Sequence, residues 1–180
     1  NARISAASAA GWRRFPRTAA RILGSFSLCL AQDQGLAERF SALGAPRVKC
    51  VGNLKWSAPA LPAAASELAS LREACAGRPL WLAASTHPGE EASAATAHAR
   101  VRTAHPRLLS IIAPRHPERG EEIARTLRAG GRVVARRGLG EAPMPGTEFY
   151  VADTLGELGL FYRLAGIVFL GGSLAAHGGH

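Results

Sequence analysis

The stretch Leu80-Trp81-Leu82-Ala83-Ala84-Ser85-Thr86-His87-Pro88-Gly89-Glu90-Glu91 decides the fold class. Its first five residues form a continuous apolar run. Small polar residues, a proline, a glycine and two acids follow at once, which is how a buried strand hands over to a helix. The same alternation appears on either side. Short runs rich in Val, Ile and Leu predict strands at 26–31, 47–52, 80–84, 108–113, 132–135, 148–152 and 167–170, most of them apolar on both faces. Between them, helical spacing predicts helices near 33–43, 66–76, 89–104, 117–129 and 156–164. Ala94, Ala97 and Val101, and Ile123 with Leu127, mark the expected buried stripes of two of them. Gly130-Gly131 is a helix stop. Repeated βα units of this kind predict a doubly wound, parallel α/β fold.

Ser57-Ala58-Pro59-Ala60-Leu61-Pro62 breaks both periods and reads as a linker. It divides the chain into 1–57, the tail of one α/β domain, and 58–180, the greater part of a second. The chain has 180 residues, begins on Asn1 and ends on a glycine-rich run, which reads as a fragment of something longer. Its formal charge of +9 is uneven. Residues 1–57 hold nine Lys/Arg against Asp33 and Glu38, whereas 58–180 hold thirteen Arg against eleven acids. A nearly balanced larger part without an aromatic stacking platform argues against nucleic acid as a partner. In the basic part, Arg13, Arg17 and Arg21 are four apart with Trp12, Phe15 and Ile22 nearby. They form either a lipid-facing surface or a solvated face, and Pro16 either interrupts a helix or opens one. Cys29, Cys50 and Cys75 have neither CxxC spacing nor histidine partners, and are expected to be reduced core residues.

In an open α/β sheet, ligands bind beyond the carboxyl ends of the strands, so the residues just after each run carry the chemistry. Ser85, Thr86 and His87 either cap the next helix or converge on an anion at its N-terminus, with Glu90 and Glu91 complementing the helix dipole. Pro114 and Arg115 open the next such turn. Prolines at 114 and 117 frame Arg115, either aiming its guanidinium at a phosphate or leaving it as a surface ion pair with Glu118 or Glu121. Asp153-Thr154-Leu155-Gly156-Glu157 reads as a capping box, or as a turn whose carboxylates take sugar hydroxyls. Gly171, Gly172 and Ser173 have the form of a phosphate-cradling turn. His177 and His180 have no third ligand nearby and point to hydrogen bonding rather than metal. Lys55, one of two lysines, sits at a strand end beside the linker. It is either a cation aimed at a substrate anion or a solvated side chain, with Trp56 packed into the hinge.

Taken in order, NARIS (1–5), GNLKW (52–56), ASTHPGEE (84–91), PRHPERG (114–120), ADTLGELGLFY (152–162) and GGSLAAHGGH (171–180) closely resemble the 3-deoxy-D-manno-octulosonic acid (Kdo) transferase family. The resemblance runs through the whole chain. It implies a glycosyltransferase B fold of two α/β domains, the second holding the nucleotide. It also implies inverting transfer of Kdo from CMP-Kdo to the lipid A precursor at the cytoplasmic face of the bacterial inner membrane, with neither metal nor cofactor. By resemblance Pro114, Arg115 and the Leu155-Gly156-Glu157 turn bind CMP, joined by an Asn-Pro-Leu-Glu segment beyond His180, and Lys55 stabilises charge in the transition state. Pro88 departs from the acid common there, Trp56-Ser57 from Phe-Asp, and Leu155 from Met. The general-base glutamate and the membrane-contacting N-terminal region are expected outside the chain, leaving it inactive alone. The alternatives are another nucleotide-sugar transferase or epimerase of this architecture, or a non-catalytic basic module.

Overall fold

A computed structural model describes residues 1–75 and 77–174. The chain forms two compact units, Asn1–Pro59 and Ala60–His180. In the first, α1 (Ala6–Trp12) and α2 (Pro16–Leu23) precede β1 (Cys29–Ala31), α3 (Gln34–Ala42) and β2 (Val48–Cys50). The strands β1 and β2 pair in parallel, and Ala2 bridges to Ala31 on the open side of β1. Ser5 caps α1 by accepting the Ser8 N–H at 3.0 Å, and Pro16 opens α2 at a position where no N–H is needed. Pro16 is therefore a helix start. The expected strand at 26–31 is shorter, because Phe26 and Leu28 are exposed and the Phe26 N–H still bonds back to Leu23. Cys29 and Cys75 are buried free thiols, but Cys50 is exposed. It ends β2, beyond the half-buried Val48, and is not in the core.

The second unit is a five-stranded parallel sheet ordered β5-β6-β4-β3-β7. The strands are β3 (Leu80–Thr86), β4 (Leu109–Pro114), β5 (Val134–Arg136), β6 (Phe149–Val151) and β7 (Val168–Leu170). The period-2 alternation divides their side chains cleanly. Leu82, Ala84, Leu109, Ile111, Ala113, Tyr150 and Ala152 pack under α4 (Ala65–Cys75) and α7 (Leu158–Leu164). Ala83, Ile112, Phe149 and Val151 pack under α5 (Glu90–Arg102) and α6 (Gly120–Ala129). Helices on both faces make the sheet doubly wound, as the apolar runs predict. Gly130 follows the last residue of α6 and Gly131 takes φ +76°, the expected stop.

The stripe expected on α5 is not the buried one. Ala97 and Val101 are exposed, and the face toward the sheet carries Glu90, Glu91, Ala94 and His98. A helix can bury such a face only if each polar group finds a partner there. At the amino end of the sheet, His98 lies 2.7 Å from the Ser110 hydroxyl, and Glu148 pairs with Arg102 and Arg132. Arg78 closes the same end. Its buried guanidinium donates to the carbonyls of Arg107, Leu108, Met144 and Thr147. The carboxyl end of the sheet is left for the exit turns.

Candidate functional site

Neighbouring strands β4 and β6 send their chains to opposite faces, β4 into α6 and β6 into α7. A crevice opens where such connections diverge. At that point lies a cavity of about 160 Å³ whose walls include Ser85, Pro114, Arg115, Thr154, Leu155 and Gly156. Three strand ends thus meet around one space.

Each wall has a local cause. β3 runs to Thr86 but loses register with β4 between Ala84 and Thr86. Ser85, at the irregularity, takes φ +54°, a left-handed conformation costing a non-glycine residue about 1–3 kcal/mol. β4 ends as the Arg115 N–H donates to the Thr86 carbonyl at 3.0 Å. Pro117–Arg119 then forms a single 3-10 turn into α6. The Arg115 side chain is exposed at the cavity, and neither Glu118 nor Glu121 pairs with it among the described residues. Instead Glu118 lies by His116 and Glu121 meets Arg136. After β6, Gly156 takes φ +80°, with open space where a side chain would stand, so the backbone faces the cavity uncovered.

Several of the expected contact groups are already engaged. Thr86 is fully buried and its hydroxyl donates to Glu91 Oε1 at 2.8 Å, so it supports the strand end and does not face a ligand. Glu91 also receives Arg119, at 2.8 and 3.3 Å. The helix start that Ser85 and Thr86 were expected to cap has Gly89 as its N-cap. The His87 N–H donates to Glu90 Oε2 at 2.8 Å.

The Gly171-Gly172-Ser173 turn is not an open phosphate cradle. The Gly172 N–H donates to both Glu90 oxygens at 2.9 Å, the Leu174 N–H to Glu90 Oε1 at 3.1 Å, and the Gly171 N–H to the Ala84 carbonyl at 2.7 Å. The Ser173 hydroxyl donates to the Leu170 carbonyl at 2.9 Å. Glu90 is the anion of this turn. Burial would raise its pKa, but the N–H groups of His87, Gly172 and Leu174 outweigh that and hold it below the usual carboxylate value. The glycine at 171 is required by packing, since a Cβ there would stand 2.2 Å from the Ser85 carbonyl oxygen.

The carboxylates of the third turn are likewise engaged within the protein. The Asp153 side chain is buried; it accepts from Arg136 Nε at 2.9 Å, with Nη2 2.8 Å from the same oxygen, and from the Gly138 N–H at 2.7 Å, so it does not cap α7, whose N-cap is Glu157. Glu157 accepts from Arg137 Nε at 3.0 Å and Nη2 at 2.6 Å, and from the Thr154 hydroxyl at 2.5 Å. The Arg137 hydrogen bonds, against opposing burial, keep Glu157 below the usual carboxylate value, and Arg137 in turn is raised. Arg137 also holds Glu67 at 2.6 Å.

Lys55 belongs to the first unit and the other candidates to the second. It is exposed in a 3-10 turn, Leu54–Ser57, whose start is capped as the Lys55 N–H donates to Asn53 Oδ1 at 3.0 Å. The Asn1 side chain donates to the same oxygen at 3.2 Å, joining the first two motifs. His177, His180 and the side chain of Trp56 lie outside the described residues. Among the described residues no group of three or more His, Cys, Asp or Glu side chains could hold a metal ion. No described helix is long and apolar enough to cross a membrane.

Sequence reasoning missed Glu90, Glu91, Arg136 and Arg137 as structural partners of the turns. The signal for the arginines was their position directly at the end of a strand, with Asp153 and Glu157 four apart on the neighbouring exit.

Comparison with known proteins agrees on one family. The family model described as 3-deoxy-D-manno-octulosonic-acid transferase (kdotransferase) matches residues 1–58. The 3-deoxy-D-manno-octulosonic acid transferase of Haemophilus influenzae is 36% identical over 183 residues, covering 100% of this chain and 43% of that protein. That of Bordetella pertussis is 36% identical over 188 residues, covering 99% of this chain and 42% of that protein. The chain therefore spans less than half the length of these relatives. Among solved structures, the C-terminal CMP-Kdo binding domain of WaaA from Acinetobacter baumannii is similar with a TM-score of 0.59 and 35% identity, over 64% of this chain and 61% of that one. The parallel, doubly wound α/β fold of the glycosyltransferase B kind is thus the one found.

Proposed function

Because this chain belongs to the 3-deoxy-D-manno-octulosonic-acid transferase family, we propose that it is the donor-side part of an enzyme moving Kdo from CMP-Kdo to the lipid A precursor. The observation that carries this reading is the cavity at the switch point between β4 and β6, walled by Pro114, Arg115, Leu155 and Gly156. In this proposal the 58–180 domain holds CMP and 1–57 belongs to the acceptor side. The uncovered backbone at Leu155-Gly156 meets the nucleoside and the Arg115 guanidinium meets the phosphate. Ser85 lines the third wall. His87 and Ser173 remain candidates for the sugar end of the donor, while Thr86, Gly171, Gly172 and Glu157 act by shaping the turns.

The acceptor hydroxyl attacks the anomeric carbon, the bond to the CMP phosphate breaks with inversion, and the hydroxyl proton passes to a base. Lys55 stabilises the anionic charge that builds on the departing phosphate beside the donor carboxylate. No metal enters this scheme, following the family pattern. The general base and the contact with the cytoplasmic face of the inner membrane are assigned to regions other than this chain.

Calorimetry with CMP and UDP tests the reading. CMP should bind at least tenfold more tightly, and incubation of the chain with CMP-Kdo and lipid A precursor should give no turnover. Preference for UDP would replace Kdo transfer with another nucleotide-sugar chemistry of the same architecture.

A further inference from the structure

The two consecutive arginines at the end of β5 have no place in the donor scheme, yet they grip both ends of one cavity wall. Arg136 donates to Asp153 Oδ2 through Nε at 2.9 Å, with Nη2 2.8 Å from the same oxygen, and also meets Glu121 at the start of α6. Arg137 forks onto Glu157 and reaches Glu67 on α4. Between Asp153 and Glu157 lie Thr154, Leu155 and Gly156, the three residues of that turn which face the cavity. The surroundings are built around these pairs. The Asp153 side chain is 2% exposed. A Cβ at Gly120 would stand 2.1 Å from Asp153 Oδ2, and one at Gly138 2.9 Å from Oδ1, so both neighbouring backbones close onto the carboxylate.

We propose that Arg136 and Arg137 are positioning residues that clamp Asp153 and Glu157 and so hold the 154–156 wall in its nucleotide-binding shape. This inference rests on the assignment of the cavity to the donor. The fork of Arg137 onto both Glu157 oxygens fixes direction as well as distance, which a single lysine cannot do, and Arg136 pins one oxygen of the enclosed Asp153 carboxylate. A glycine at φ +80° in the middle of the turn has no stiffness of its own, so the shape must be imposed from its ends. The edge strand β5 has the clamp as its functional role, because its register with β6 sets Arg136 beside Val151, two residues before Asp153.

The test measures CMP affinity of the full chain by calorimetry, and hydrogen exchange of the amides at 154–157, in Arg136→Ala, Arg137→Ala and Arg137→Lys. Ser110→Ala serves as a control that perturbs the amino end of the same sheet. Each alanine variant should weaken CMP at least tenfold and speed exchange at 154–157 at least tenfold, with the amides of β3 and β4 unchanged. Arg137→Lys should recover part of the affinity, and Ser110→Ala should stay within twofold of the parent. CMP binding in the alanine variants within twofold of a parent that binds would overturn the clamp and leave the donor reading intact. An equal loss in Ser110→Ala would reduce the effect to general destabilisation and overturn it as well. A parent chain that does not bind CMP would overturn the donor reading and the clamp's role in it.

Discussion

His98 lies fully buried on α5, its ring 4.4 Å from that of Phe149 and its Nδ1 against the Ser110 hydroxyl. Its Nε2 has no hydrogen-bond partner, so a proton there would be stranded. Burial lowers its pKa from 6.5 to about 4. The attraction of Glu148 works against that shift, while Arg132, Arg102 and Arg78 add to it. The unfolded chain takes up this proton near pH 6.5 and the folded chain only near pH 4. Protonation therefore favours unfolding, and stability falls as the pH drops through that interval. The full effect is on the order of 3 kcal/mol. Urea midpoints should decline between pH 6.5 and 4.5, and His98→Gln should flatten that decline. Below about pH 4.5, Glu90 and Glu157 add losses of their own, since both are held below the usual carboxylate value.

At the scale of elements, the short apolar runs located every strand of the parallel sheet to within a few residues, because the central strands, covered on both faces, leave no choice of residue type, and the edge strand β7 is apolar although Val168 and Leu170 are exposed. Helix α5 was legible in extent but not in orientation. Periodicity assumes that apolar side chains turn inward, whereas Glu90 and His98 turn inward here because their partners are Gly172, 82 residues on, and Ser110, on another strand. Nothing local marks such pairings. The junction of β3 and β7 shows what those contacts hold. Gly171→Ala would drive a Cβ into the Ser85 carbonyl, where backbone faces backbone and neither yields cheaply. We expect a loss of about 3 kcal/mol or more, seen as a lowered thermal midpoint, while Gly146→Ala, in open space, should cost under about 1 kcal/mol.

For the whole molecule, each unit has its own buried clusters. Ala9, Ala19 and Leu43 lie in the first, and the two faces of the five-stranded sheet lie in the second. Leu61 already belongs to the second, since Arg163 donates to its carbonyl at 2.7 Å. Brief elastase digestion should therefore cut first at the exposed Ala58 or Ala60. The piece from about 61 onward should keep its far-UV circular dichroism, and initial cleavage within α5 or α6 would contradict two independent cores. The strand-end rule brought Ser85, Pro114, Arg115, Leu155 and Gly156 to one cavity from sequence position alone. It could not tell backbone that faces a ligand from backbone satisfied by the protein's own carboxylates, because that depends on rotamers of distant side chains. Those internal carboxylates have a kinetic meaning. With Asp153 and Glu157 locked by Arg136 and Arg137 at the two ends of the Gly156 turn, that wall of the cavity is set before any ligand arrives. On the proposed donor reading, a nucleotide entering there would give up its own freedom but would not have to order that turn, and one-step capture at a rate set by encounter, with no slow isomerisation after it, is the expected outcome in stopped-flow measurements.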